Sequence, residues 1–210
     1  MPKFALPNVE TSFAFSINYD YRCPFARNLN EHVVEALKSD PDLTVTFVPF
    51  NLSQVHVDEG NPPIWEDPDK SLDLLANEVG YIVSELFPEK FPEVHLSIFG
   101  IRHELRKSLK DRTELAKVLV AHGVDESEVF QAVDQHTYSD KVRALHEDQA
   151  QRLEVFGVPT IFDDEKAAFV RVMNRPSESS ESSKELVLRI LNQIFCYPEI
   201  NELKHTRLDR

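Results

Sequence analysis

The first strongly patterned segment of the chain alternates apolar with small or polar side chains. Its apolar members, which fall on one face of a predicted strand, are Phe13, Phe15 and Ile17. After a turn at residues 19–22 the apolar period changes to four, which predicts an amphipathic helix with Pro24 near its first position. The β-branched and aromatic run Leu43–Phe50 then predicts a second strand, which completes a β-α-β unit.

The middle of the chain has a helical period throughout. Residues 51–68 carry several prolines and predict a long loop, and five helices are expected between about Lys70 and Val155. Gly123 is a suitable C-terminal cap for the third of them. Asp125 and Glu128 have the spacing of a capping box at the start of the fourth.

Strand patterns return after the helical block. Val158–Phe162 and Ala167–Met173 predict a hairpin, and a last helix follows the polar run at residues 175–183. The order β-α-β, helices, β-β-α predicts one α/β domain that is split by an all-helical insertion. We place the split domain at residues 11–65 and 156–196, the insertion at 66–155, and a C-terminal tail at 197–210.

Composition excludes several classes of protein. The chain has 210 residues, of which 41% are hydrophobic and 28% charged, so it is long and apolar enough for a sizeable core. Its formal net charge of −13 argues against nucleic acid as a partner, because phosphate binding needs clustered Lys and Arg. The N-terminus does not have the pattern of a signal peptide, and no apolar run is as long as a membrane span. A cytoplasmic location, without a membrane partner, is the default expectation.

Cys23 stands at the turn between the first strand and the first helix. A cysteine at the amino end of a helix is near unpaired N–H groups, and the neighbouring Arg22 adds a cation, so we expect the thiolate to be favoured. On this reasoning Cys23 alkylates faster than Cys196 near neutral pH. The alternative is that Cys23 is a small buried hydrophobic residue, which is the commoner role of an unpaired cysteine.

Three motifs in this order resemble the DsbA-like thioredoxin-fold family: "RCPFARN" after a strand, "GVPTIF" after the helical block, and the closing β-β-α. The resemblance implies a thioredoxin fold in which Cys23 is the nucleophile, Arg22 and Pro24 complete the catalytic site, and the Val158–Pro159 peptide bond is cis. The residues that would border the substrate groove are Tyr21, Phe25, Ala26, Val158, Pro159 and Thr160. The chain also resembles, more distantly, 2-hydroxychromene-2-carboxylate isomerases and kappa-class glutathione transferases.

The sequence departs from the family pattern at Ala26, where the usual Cys-x-x-Cys motif has its second cysteine. We expect the last helix to begin at the active-site end of the sheet and to carry Cys196 about 20 Å away from Cys23. A disulfide needs Cα atoms within about 7 Å, so Cys196 is not expected to pair with Cys23. We therefore predict that Cys196 is a buried structural residue. A single thiol is still able to exchange with disulfides, using a low-molecular-weight thiol such as glutathione or mycothiol as co-substrate. No tightly bound cofactor is expected.

Two other functions remain open. A chain without the resolving cysteine could activate a bound small thiol for attack on an electrophile, as a glutathione transferase or isomerase does, or it could be an inactive binding protein. His95 and His103 lie on one predicted helix, but no metal-binding spacing is present, so we assign no metal site. The sequence is compatible with a homodimer.

Overall fold

The structure, a computed structural model, describes residues 12–40, 42–177, 179–197 and 199–205. The first β-α-β unit consists of strand β1 (Phe13–Tyr19), helix α1 (Pro24–Ser39) and strand β2 (Leu43–Pro49). The short helix α2 (Leu52–Val55) and a 3-10 turn (Pro68–Lys70) follow. The remaining elements are α3 (Ser71–Leu86), α4 (Phe91–His103), α5 (Arg112–Ala121), α6 (Glu126–Asp134), α7 (Ser139–Arg152), β3 (Thr160–Phe162), β4 (Ala167–Phe169) and α8 (Ser180–Cys196).

The four strands form one sheet in the order β2-β1-β3-β4. β1 is parallel to β2, with Phe13 opposite Leu43, whereas β3 is antiparallel to both β1 and β4. This topology confirms the predicted thioredoxin fold with helices inserted between β2 and β3. The hairpin strands are shorter than predicted, and the predicted loop at 51–68 contains α2 and ends where the 3-10 turn begins.

One hydrophobic core lies between the sheet and the helices α1 and α8. The alternating positions of β1 and the four-residue period of α1 meet there, as the sequence pattern predicts. Its central members are Phe15, Ile17, Leu29, Val33, Ile161, Val187 and Leu191.

A second core joins the carboxyl end of β1 to the inserted helices. Tyr19, Tyr21 and Cys23 belong to the same buried cluster as residues of α3 and α4 such as Val79 and Ile98. The helical block therefore forms part of the packing around Cys23. The domain boundaries given above stay a prediction.

Helix α8 does not begin where the sequence suggested. Ser39 Oγ, at the end of α1, donates a hydrogen bond to the carbonyl oxygen of Ser180. Helix α8 therefore begins near the end of α1 that is farthest from Cys23. Its last turn lies near the start of β1, where the rings of Phe13 and Phe195 are 6.1 Å apart. Cys196 is exposed, which corrects the expectation that it is buried; no disulfide joins it to Cys23.

Expectations about residues 1–11 and 206–210 lie outside the described residues. Within the described part of the tail, Tyr197, Ile200 and Leu203 are exposed. Among the helices of the described residues, none has the length and apolar character needed to span a membrane.

Candidate active site

Cys23 is the N-cap residue of α1. Its backbone is extended, Pro24 occupies the first turn of the helix, and Cys23 Sγ accepts a hydrogen bond from the N–H of Ala26 at 3.4 Å. The backbone N–H of Cys23 donates to the carbonyl of Asp20 at 2.9 Å, which closes the turn before the helix. An N-cap side chain satisfies one of the free amides of the first turn, and here the capping atom is sulfur.

The thiol also faces the loop before β3. Cys23 Sγ lies 3.5 Å from the carbonyl oxygen of Val158, to which its S–H donates. The peptide bond between Val158 and Pro159 is cis. The motifs at residues 22–28 and 157–162 therefore meet at the sulfur, although 135 positions separate Cys23 from Val158.

Asn18 holds this loop in place from the end of β1. Its Oδ1 accepts from the N–H of Thr160 at 2.6 Å, and its Nδ2 donates to the carbonyl of Gly157 at 3.2 Å and to Gln149 Oε1 at 3.1 Å. Asn18 is fully buried. One side chain thus joins β1, α7 and the loop that carries Pro159.

A second buried chain of hydrogen bonds supports the turn that carries Cys23. Tyr21 Oη lies 2.8 Å from His95 Nδ1, and His95 Nε2 lies 3.0 Å from Asn30 Oδ1. Asn30 Nδ2 donates to the carbonyl of Ala26 at 2.8 Å, so Asn30 Oδ1 is the acceptor and His95 Nε2 is assigned the proton. Tyr21 then donates to Nδ1. Burial lowers the pKa of His95 to about 3, which keeps the ring neutral in this chain of bonds.

Tyr21 reaches His95 because α3 has no side chain at Gly80. A Cβ built on Gly80 would overlap Tyr21 Oη and would lie 2.9 Å from a carbon of its ring. The glycine is therefore required by the close approach of the phenol to the helix.

Arg22 does not act on the thiol as the sequence suggested. Its Nε and one terminal nitrogen bind the carboxylate of Asp20 at 3.0 and 2.5 Å, and its other terminal nitrogen binds Ser53. The buried Asp20 also accepts from the N–H of Leu52 at 2.9 Å. The positive charge of Arg22 is thus paired with a carboxylate, and Asp20 itself raises the pKa of Cys23.

The pKa of the Cys23 thiol is raised above its ordinary value, contrary to the expectation of a favoured thiolate. The main cause is burial, since the residue is 8% exposed. The N–H groups of Ala26 and Phe25 oppose this shift, as does the positive charge of Arg171. The bond from S–H to the carbonyl of Val158 further favours the protonated form. Pro24 contributes no N–H, so the first turn offers the sulfur fewer amides than a helix start without proline.

Only part of the predicted substrate-contact set is accessible. Tyr21, Ala26 and Thr160 are buried, so their side chains offer little surface to a groove, and their assignment as substrate-contact residues stays a prediction. Tyr21 supports the turn, Ala26 contributes its backbone N–H, and Thr160 is bound to Asn18 and to the carbonyl of Gly157. Of the rest, Val158 and Pro159 are buried beside the sulfur and Phe25 is half-buried. Pro24, which was predicted as a catalytic residue, is exposed.

The segment after β4 adds a wall that the sequence reasoning missed. The N–H of Val170 donates to the carbonyl of Pro159 at 3.0 Å, and Asn28 Nδ2 donates to the carbonyls of Val172 and Met173 at 3.1 and 3.0 Å. This segment therefore runs between the Pro159 loop and α1. The positions of Asn18 and Asn30, polar residues within apolar patterns, were the available sequence signal for the buried network.

Two cavities in the described part of the chain lie away from Cys23. One of about 370 Å³ lies between α7 and the sheet and includes Ser16, Thr46 and Arg152 in its lining; a smaller one of about 70 Å³ adjoins Arg22 and Asp73. Cys23 lines neither of them. The start of α1 and the segment after β4 are the parts of the chain that adjoin the thiol and the Pro159 loop.

A family model and several solved structures agree on the fold of this chain. A family model described as a DSBA-like thioredoxin domain matches residues 16–176. No curated protein matches the sequence. Solved structures with the same fold include DsbA from Pseudomonas aeruginosa, with 18% identity and a TM-score of 0.57 over 90% of this chain and 83% of that one.

Two further solved structures extend this comparison. A 2-hydroxychromene-2-carboxylate isomerase has 13% identity and a TM-score of 0.61, over 86% of this chain and 97% of that one. The oxidoreductase NmDsbA1 from N. meningitidis has 15% identity and a TM-score of 0.54, over 90% and 88%. At these identities the structural neighbours establish the fold.

Proposed function

We propose, on the premise that this chain belongs to the DsbA-like thioredoxin domain family, that it is a monothiol oxidoreductase acting through Cys23. The observation that supports this most is the position of Cys23 Sγ between the N–H of Ala26 and the carbonyl of Val158, beside Pro159. The sulfur is fixed where two separate segments of the chain meet. Ala26 stands where a resolving cysteine would be, so the exchange has to use an external thiol.

The proposed reaction has two exchange steps. Cys23 loses its proton to solvent, and the thiolate attacks one sulfur of a disulfide RS–SR′. A Cys23–SR mixed disulfide forms, and R′S⁻ leaves and takes up a proton. A second small thiolate then attacks the R sulfur of the mixed disulfide, which forms a new disulfide and releases Cys23 as thiolate. The N–H of Ala26 donates to the sulfur in both steps whenever it carries negative charge.

The raised pKa of Cys23 determines which step is slow. A thiol with a high pKa is a poor leaving group, so release of Cys23 from its mixed disulfide is slow compared with release of an acidic thiol. The same shift leaves little thiolate at neutral pH, although the thiolate that does form is a strong nucleophile. We therefore expect a long-lived mixed disulfide and an exchange rate that rises with pH through and above the ordinary thiol range near about 8.5.

The test is a search for the mixed disulfide. Reduced protein is mixed with glutathione disulfide, quenched with acid and mapped by mass spectrometry, and release is then followed after addition of reduced glutathione. We expect an adduct of one glutathione on Cys23 that is absent from Cys23→Ala and unchanged in Cys196→Ala. Failure of Cys23 to form the adduct even at alkaline pH, while Cys196 forms one, would contradict the proposal.

A second candidate function follows from the protonated state of Cys23. A thiol that keeps its proton is a hydrogen-bond donor, and its S–H, now directed at Val158, could donate to the thiolate of a bound small thiol. The chain would then activate that thiol for attack on an electrophile. A Cys23→Ser variant separates the two, because a serine hydroxyl donates a hydrogen bond but does not form a disulfide. Glutathione-dependent turnover of an electrophile such as 1-chloro-2,4-dinitrobenzene that survives in Cys23→Ser would favour this second function.

A further inference from the structure

Arg171 places a positive charge next to the first turn of α1. It is exposed, and its guanidinium carbon lies 4.7 Å from the centre of the Phe25 ring and 5.6 Å from that of Phe169. Phe25 is two residues after Cys23 and is half-buried. Contacts with two aromatic rings hold the cation over this part of the surface.

The backbone on both sides of Arg171 is fixed to the site. Immediately before it, the N–H of Val170 binds the carbonyl of Pro159, and immediately after it, the carbonyl of Val172 accepts from Asn28 on α1. Arg171 is therefore carried by a segment attached both to the Pro159 loop and to the helix that begins at Cys23. Its positive charge lowers the pKa of Cys23, although burial has the larger and opposite effect on that pKa.

The guanidinium has donors available for a ligand. Other arginines near the site are paired: Arg22 with Asp20, Arg27 with Glu31 and Glu104, and Arg175 with Glu31 and Glu104. Within residues 12–40, 42–177, 179–197 and 199–205, Arg171 forms no ion pair and donates no hydrogen bond. In a chain of net charge −13, a cation beside the thiol that has no ion-pair partner among the described residues can attract an anionic ligand.

We propose that Arg171, lying over Phe25, is a specificity residue that binds a carboxylate of a small anionic thiol while the sulfur of that thiol is bonded to Cys23. This inference rests on the proposed function and identifies its co-substrate class as a carboxylate-bearing low-molecular-weight thiol. A guanidinium offers the fork of N–H donors that matches a carboxylate, and an ion pair at a substrate subsite discriminates by charge as well as by affinity. Neutral and cationic thiols gain nothing from it.

The test compares disulfides of different charge. Second-order rate constants for modification of Cys23 are measured with glutathione disulfide, the neutral hydroxyethyl disulfide and the cationic cystamine, in wild type, Arg171→Gln and Arg189→Gln. Arg189 lies on α8 with its side chain 74% exposed, so its replacement changes the net charge equally at a distance from the site. Each rate is divided by that for the neutral disulfide, because loss of Arg171 also changes the ionisation of Cys23.

We expect Arg171→Gln to lower the normalised rate with glutathione disulfide by about fivefold, which corresponds to ~1 kcal/mol between unit charges about 4 Å apart in water. Arg189→Gln should leave it unchanged, and Arg171→Glu should make cystamine the preferred disulfide. Added salt should reduce the difference between wild type and Arg171→Gln. A change of less than twofold in Arg171→Gln, or an equal change in Arg189→Gln, would overturn the assignment.

A binding measurement separates this inference from the proposed function. S-methylglutathione carries the same carboxylates but has no sulfur able to exchange, and its affinity is measured by calorimetry on the reduced wild type and on Arg171→Gln. Weaker binding to Arg171→Gln supports the subsite even if no disulfide modifies Cys23, in which case only the exchange function fails. Equal affinity, or no binding to either protein, overturns the subsite whatever the exchange rates are.

Discussion

Replacing Asn18 by alanine should destabilise the protein and loosen the loop that faces Cys23. The fully buried Asn18 joins β1 to the N–H of Thr160, the carbonyl of Gly157 and the side chain of Gln149. The carbonyl of Gly157 keeps another donor in the variant, since Thr160 Oγ1 binds it at 2.9 Å. The Thr160 N–H and Gln149 Oε1 lose their partner.

The expected loss of stability follows from the two buried groups that lose their partner, the Thr160 N–H and Gln149 Oε1. Leaving a buried donor or acceptor unsatisfied costs about 1–3 kcal/mol, so Asn18→Ala should lower the free energy of unfolding by roughly 2–6 kcal/mol. A small domain is stable by about 5–15 kcal/mol in total, so the variant should lose a large share of its stability. Urea unfolding followed by circular dichroism at 222 nm measures the loss.

Ser16 provides the matched control on the same strand. It lies two residues before Asn18, is partly buried, and donates no side-chain hydrogen bond within the described residues. Ser16→Ala should change the free energy of unfolding by no more than about 0.5 kcal/mol. If Asn18→Ala and Ser16→Ala differ by less than this amount, the hydrogen bonds of Asn18 do not hold the loop. In native Asn18→Ala protein, alkylation of Cys23 should also be faster than in wild type, because the Val158 carbonyl is less firmly held against the thiol.

Three further predictions concern the buried groups Cys23, Tyr21 and His95. At pH 7, iodoacetamide should modify the exposed Cys196 faster than Cys23, and the Cys23 rate should still be rising above pH 8.5, near which an ordinary thiol titrates; peptide mass spectrometry gives both rates. Gly80→Ala should lower the free energy of unfolding by about 1–3 kcal/mol, because its methyl group would overlap the Tyr21 phenol. The pKa of His95 is about 3 in the folded chain and about 6.5 in the unfolded chain. The stability that is present above pH 6.5 is therefore lost on acidification, at ~1.4 kcal/mol per pH unit. His95→Gln should weaken this dependence.

Each of these has an internal control. Gly100→Ala, in α4, adds a methyl group whose nearest neighbour outside the helix is the side chain of Glu104 at 3.6 Å, so it should be neutral or stabilising. Equal effects of Gly80→Ala and Gly100→Ala would contradict the packing argument. For the acid dependence, urea titrations at pH 7 and pH 5 should differ by about 2 kcal/mol more in wild type than in His95→Gln. For the thiols, a Cys23 rate at pH 7 equal to or above that of Cys196 would show that burial does not limit Cys23.

The sequence predicted the elements of the fold well because their signals are local. The alternation in β1, the proline at the start of α1, and the left-handed Gly123 after α5 are all features of short segments. The meeting of Cys23 with Pro159 could also be anticipated, but only through the resemblance of two motifs to a known family. Periodicity alone does not bring residues 135 positions apart together.

The electrostatics of the site could not be predicted, because they depend on which groups face each other. Arg22 adjoins Cys23 in sequence, yet its charge is paired with Asp20, whereas Arg171, nearly 150 positions away, is the arginine whose charge lowers the pKa of the thiol. Burial decides the direction of the shift, and Cys23 belongs to a buried cluster that includes residues of the inserted helices. The inward orientation of Tyr21 likewise depends on Gly80 in α3, which no pattern near Tyr21 reveals.

The shared core between the end of β1 and the helices α3 and α4 has a consequence for how the chemistry could be tuned. Because Cys23 packs in the same cluster as Val79 and Ile98, a volume change on either helix would alter how far water penetrates to the sulfur. The acidity of the thiol can therefore be adjusted from outside the Cys-Pro-Phe-Ala motif, with every atom of that motif left unchanged. Mutational screens confined to the motif would miss these core residues of α3 and α4.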